Sequence, residues 1–123
     1  MSKETINNPS ALAKFPNTTA FGPAAGPTAA WTDLDLSAIV GTRQVVVLLS
    51  ILNSTGAACL TRTRKNGEAN PGDYEGAAAA NTVINTYLTY LVCVTDSAGI
   101  IEWIVNQAGG TLTIKVEAFW YES

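Results

Sequence analysis

Histidine is absent from this chain of 123 residues. Its absence removes Ser-His-Asp and Cys-His catalysis, the commonest general base and the usual zinc ligand. Charge is scarce too. Asp, Glu, Lys and Arg make up 14% of the residues, against about 25% in an ordinary soluble domain. A small protein with so few charges must show water much neutral surface or hide it against neighbours. The net charge of −3 offers no basic footprint for nucleic acid. No apolar run approaches the roughly 20 residues of a membrane helix, and the longest candidate, Val45 to Leu52, is strand-length and broken by Ser50. The N-terminus lacks the continuous apolar stretch of a secretory signal. The chain therefore reads as made in a cytoplasm, with neither membrane nor nucleic acid as partner.

Cysteine is limited to Cys59 and Cys93. Without histidine or a Cys-x-x-Cys spacing they make a poor metal site, so neither a metal nor a cofactor is expected. Two reduced, buried thiols are the simpler reading, with a disulfide left open. No phosphate-binding glycine loop is present, because Gly22 and Gly26 lack a strand-to-helix context.

What is present is distributed unevenly. Residues 1–30 hold four of the five prolines, Pro9, Pro16, Pro23 and Pro27, amid Asn, Ala, Thr and Gly. Such a segment has too few apolar side chains to offset the entropy of ordering it alone. It reads as an extended arm held by a partner, with Phe15, Pro16, Phe21, Pro23 and Pro27 as contact residues. Trp31 stands at the hinge, where it would plug the root of the arm onto the body.

Residues 31–123 read as one domain of short strands separated by turn signals. Thr32 to Ser37 alternates, with Leu34 and Leu36 opposite Asp33 and Asp35. Gln44 to Leu52 is apolar on both faces, which places it centrally in a sheet covered on both sides. Asn53 to Gly56 is a turn, and Ala57 to Lys65 is a strand with Cys59, Thr61 and Thr63 inward. Asn66-Gly67 is a strong turn dipeptide. The segment 66–82 forms a long loop, in which Ala77–Ala80 could make one helical turn. Val83 to Thr95 is a long strand, Ile100 to Val105 another, and Thr111 to Tyr121 the last, with Leu112, Ile114, Val116 and Ala118 inward. The expectation is an all-β fold, an antiparallel β-sandwich of jelly-roll-like form with about six to eight strands and an N-terminal arm.

Candidate chemistry is thin. Glu68, Asp73 and Glu75, with Asn70 beside them, could offer oxygen ligands to calcium, but their spacing fits no calcium loop and a solvated acidic loop is the plainer reading. Tyr74 in the same loop could stack on a sugar. Of the other aromatics, Trp103 is expected in the core and Trp120 or Tyr121 over an edge. Arg62, Arg64 and Lys65 form the basic cluster, read as an edge or solvent face.

Four runs carry a resemblance: Trp31-Thr32-Asp33-Leu34-Asp35-Leu36-Ser37, Val45 to Leu52, Arg64-Lys65-Asn66-Gly67-Glu68, and Val92 to Trp103. Together with the closing apolar strand they resemble small β-sandwich domains that recur in virion and prophage proteins of tailed bacteriophages, over residues 31–121. The resemblance implies a structural or adhesive role in a virus particle and brings no catalytic residues with it. The expected function is a non-enzymatic capsid decoration (cement) or head-associated protein in the virion, assembled in the host cytoplasm. It would be a homo-oligomer, a trimer, attached through its arm to other virion proteins such as the major capsid protein. The alternative is a carbohydrate- or receptor-binding module of a head or tail fibre, using Tyr74 and its loop.

Overall fold

The computed structural model describes residues 13–56, 58–67, 78–82 and 87–121. Eight strands appear among them: β1 (Thr18–Ala24), β2 (Thr32–Asp35), β3 (Val45–Gly56), β4 (Cys59–Lys65), β5 (Ala78–Thr82), β6 (Tyr87–Val94), β7 (Ile100–Val105) and β8 (Gly110–Tyr121). One short helical turn, α1 (Ser37–Val40), follows β2. The strands form two sheets, in the orders β1-β8-β3-β6 and β2-β7-β4-β5, and every pairing is antiparallel.

The period-two patterning of the sequence explains how these sheets meet. Val45, Val47, Leu49 and Ile51 leave β3 on one face, Leu112, Ile114 and Val116 leave β8 beside them, and Ile101, Trp103 and Val105 come from β7 opposite. All are buried, and they belong to one apolar cluster that takes residues from both sheets. Near the end of β8 the row changes parity. Leu48 pairs with Ala118 but Leu49 pairs with Val116, so Glu117 is an extra residue, a β-bulge. Beyond it Phe119 points into the core cluster, a position the unbroken alternation assigns to Ala118. Glu117 turns outward, where its carboxylate accepts a 2.7 Å hydrogen bond from Ser50 Oγ.

Four expectations are revised. Residues 18–24 are an edge strand of the body, so the domain begins before Trp31. Thr18, Thr19, Phe21 and Ala24 pair with Val116, Lys115, Ile114 and Leu112, through two irregularities. The Asn53–Gly56 turn is instead the end of β3. Asn53 is fully buried, and its Oδ1 accepts a 3.1 Å bond from the Thr111 N–H. Gly56 (φ +95) lies so close to β8 that a Cβ would meet Gly109 O at 1.5 Å. Third, Ala78–Thr82 is β5, paired with β4 from Thr82 opposite Cys59 to Ala78 opposite Thr63; an alanine run is a helix former, and the pairing overrides it. Last, Ser37–Val40 is helical where no helix was expected, because the turn seats Leu36 and Val40 in the core.

Two side chains fix the connection from β6 to β7. Thr95 is fully buried. Its Oγ1 accepts from the Val45 N–H at 3.0 Å and lies within donating distance of the carbonyls of Asp96 (2.9 Å) and Arg43 (3.0 Å). Asp96 then makes the turn, its Oδ1 accepting from the N–H groups of Ala98 and Ile100, each at 2.9 Å, and its Oδ2 from the Asn66 amide at 2.9 Å. Burial alone would raise this carboxyl. The Ile100 N–H, the Asn66 amide, the Ala98 N–H and the charge of Lys65 outweigh burial and hold it below the ordinary value.

The two thiols sit far apart. Asn53 Nδ2 is 3.8 Å from Cys59 Sγ, whereas Cys93 pairs with Val47, six residues back along β3, or about 20 Å at strand rise. No disulfide joins them and both are buried. Burial pushes the Cys93 thiol up to about 11, against a smaller opposing effect of the neighbouring Thr63 hydroxyl.

Both the Asp96 turn and the buried thiols can be checked in solution. A depressed folded-state carboxyl stabilises the fold above the ordinary aspartate value of 3.8, and that contribution is lost as pH falls through the lower folded value. Urea midpoints of the wild type should therefore drop across this acid window. Asp96→Asn should be less stable at neutral pH and show a shallower acid decline; an equally steep decline would assign the titration elsewhere. As for the thiols, neither cysteine should react with a thiol reagent in the native state, and both should react once guanidinium unfolds the chain.

Candidate partner-binding surfaces

The N-terminal segment is laid against the body by its own backbone. Lys14 and Phe119 exchange two hydrogen bonds, of 2.8 and 2.9 Å. Thr18 Oγ1 donates to the Pro16 carbonyl at 2.9 Å, and β1 follows along β8. From there the chain crosses to the other sheet over the end of the core. Phe21 meets Trp103 edge-to-face, with ring centroids 4.8 Å apart, a geometry worth about 0.5–1.5 kcal/mol beyond the area buried. Gly26 rests on the same ring: a Cβ there would come within 2.5 Å of Val105 Cγ2 and 3.0 Å of the Trp103 ring. The Pro27 carbonyl accepts from the Val105 N–H at 2.8 Å.

Trp31 anchors this crossing on the outer face of the second sheet, not inside it. The Arg64 guanidinium lies 4.1 Å from its ring centroid and that of Arg62 5.6 Å. Arg64 Nε also donates to Glu102 Oε1 at 2.7 Å, across the β4–β7 register that sets these residues opposite each other. The basic cluster thus lies on an interior strand, where it clamps an aromatic ring instead of guarding an edge. Cation–π contacts of this kind contribute about 0.5–1 kcal/mol each when partly exposed.

The expected arm contacts therefore divide. Phe21, Pro27 and Trp31 are engaged by the chain's own body. Pro16 is half-buried, Pro23 is exposed on the edge strand, and Phe15 is 75% exposed. Only Phe15 and Pro23 remain plainly available to a partner. The residues proposed for the long loop, Glu68, Asn70, Asp73, Tyr74 and Glu75, lie outside the described residues. Among the described residues no group of three or more His, Cys, Asp or Glu side chains comes together to hold a metal, and no helix is long and apolar enough to cross a membrane.

One further surface is marked by exposed apolar and aromatic side chains. The outward row of the first sheet shows Leu88, Tyr90 and Val92 of β6 at 52%, 57% and 53% exposure. Its signal in the sequence is the run Val45 to Leu52, apolar in both rows, which demands cover on both sides. Among the described residues the fold covers one of them, and β6 stays open on the other.

Compared with protein-family models and with curated proteins, the chain matches neither a family nor a relative. The geometry of the N-terminal segment separates two neighbouring aromatics by experiment. Phe21→Ala should lower the unfolding free energy by about 2–3 kcal/mol, near the low end for a core aromatic because Phe21 is only partly buried. Phe15→Ala should change it by less than about 0.5 kcal/mol.

Proposed function

We propose that the chain is a non-enzymatic structural component of a virus particle, of the tailed-bacteriophage kind. It would be a jelly-roll knob fixed to other virion proteins by its N-terminal residues and associated with copies of itself. The strand order carries the jelly-roll part. Pairing the first strand with the last, and running β1-β8-β3-β6 against β2-β7-β4-β5, matches an eight-stranded jelly roll, an architecture used by viral capsid and lectin domains among others. The particle itself rests on the resemblance carried by residues 31–121. The arm is shorter than residues 1–30, because β1 belongs to the body. The attachment segment is then residues 1–17, with exposed Phe15 as its anchor beside the Lys14–Phe119 bridge.

The carbohydrate-binding alternative has only the shared topology in its favour, since Tyr74 and its loop lie outside the described residues.

The shortened arm dictates the truncation to make. Removing residues 1–30 would strip β1 from β8 and uncover Trp103, so loss of binding there would report unfolding. Removing residues 1–12 and replacing Phe15 by alanine takes away the segment's free length and its anchor while sparing β1. The expected outcome is an unchanged urea midpoint together with loss of the protein from purified particles, read by mass spectrometry of particles assembled with the truncated chain. Normal occupancy by the truncated chain would refute attachment through this segment. Absence of the full-length chain from particles would refute the virion reading itself.

A further inference from the structure

The outer face of the β1-β8-β3-β6 sheet is built like an interior. Leu48 pairs with Val92 and Leu52 with Leu88, and paired residues of antiparallel strands share a face. On the other side of β3, Val46 pairs with Trp120. At the levels of Val46 and Leu48 the face runs apolar across three strands, ending on Trp120 and Ala118, while Lys115 and Thr113 of β8 stand beside Ser50 and Leu52; the small, buried Ser50 lies beside Tyr90 at its middle. Neither β3 nor β6 contains a charged residue, and β8 contributes one of each sign, Lys115 and Glu117.

Other margins of the two sheets are protected in recognisable ways. β1 carries Pro23 and two register irregularities. β2 is four residues long and bears Asp33 and Asp35. β6 has none of these devices over its eight residues, Tyr87 to Val94, and it is where the exposed apolar row lies.

We propose that two copies of the chain pair through this face about a two-fold axis, with Tyr90 and Val92 near its centre. The charges select a second copy over a partner of one dominant sign. An isologous contact brings the same patch to itself, so a face whose charges are one lysine and one glutamate can set unlike charges opposite each other. Size sets the strength. Eight residues at about 3.4 Å by three strands at about 4.8 Å give a footprint of roughly 390 Å² per copy, or about 800 Å² in total. That falls below the roughly 1,200 Å² of a stable specific interface, so the free dimer is weak. Its Kd lies in the range of about 10 μM to 1 mM, and two-fold pairing replaces the expected trimer. The contact is a property of the body, so it stands or falls separately from attachment through residues 1–17.

Sedimentation velocity on the purified full chain, from about 1 μM to about 1 mM, tests this. The wild type should show a reversible monomer–dimer equilibrium. Val92→Glu should weaken it at least about tenfold while keeping a cooperative urea transition. Thr42→Glu, the same change of charge at an exposed site before β3, should leave it unaltered. Lys115→Glu should weaken pairing, and the double exchange Lys115→Glu with Glu117→Lys should restore it. A wild type monomeric at every concentration, a trimeric mass, or a Val92→Glu protein that pairs as well as wild type would overturn the proposal. Failure of the double exchange to recover would overturn the two-fold arrangement.

Discussion

β8 lies inside its sheet because the first strand of the chain returns to flank it, and much of the body depends on that return. β8 spans twelve residues. With β3 alone beside it, it would present a long apolar edge, a ready template for pairing with another chain. β1 occupies that edge, and the crossing that follows brings Phe21, Gly26 and Pro27 against Trp103 and Val105. Trp103 is almost fully buried partly because of residues that precede β2. Ordering each residue of this segment costs about 1 kcal/mol of backbone entropy. The strand bonds, the edge-to-face ring contact and the Trp31 clamp are what offset it.

This also explains which parts of the fold are legible in the sequence. Clean alternation carries β7 and most of β8, where Ile101, Trp103 and Val105 and then Leu112, Ile114 and Val116 fall on one row. It fails at Glu117, since a bulge shifts parity without a residue type that announces it. Asn53 and Gly56 have turn chemistry, yet both serve a close strand approach, one through a buried amide and the other through a missing Cβ. The β5 alanines carry no strand signal of their own and are paired by β4. The N-terminal segment is the largest departure. Its apolar content is low, and from Lys14 onward the surface it packs against belongs to the same chain. Of the proposed contact residues, sequence alone cannot separate Phe15 from Phe21, because nothing local tells which ring finds Trp103.

Scarce charge has two consequences that fit together. Several of the few charged groups on the body are tied into specific contacts: Arg64 to Glu102 and Trp31, Glu117 to Ser50, Asp96 to three donors. Each fixes a local geometry, and little charge remains to keep the surfaces of two copies apart. Sheets that face water on one side usually alternate apolar and polar residues. β3 does not, and the body leaves the second apolar row of its sheet partly open.

Such a row has a cost for a protein that must stay dissolved, so its persistence needs a reason. In a free monomer, charged substitutions at Leu88 or Val92 would touch nothing in the core and would lower the risk of association. On the proposed particle the balance would change. Copies fixed to neighbouring points of a shell would meet at high effective concentration, where a contact too weak to hold in solution would add to each attachment. The proposed self-complementary face and the proposed attachment segment therefore make sense as a pair. The first would bring neighbours into register, and the second would bring them close enough for that register to matter.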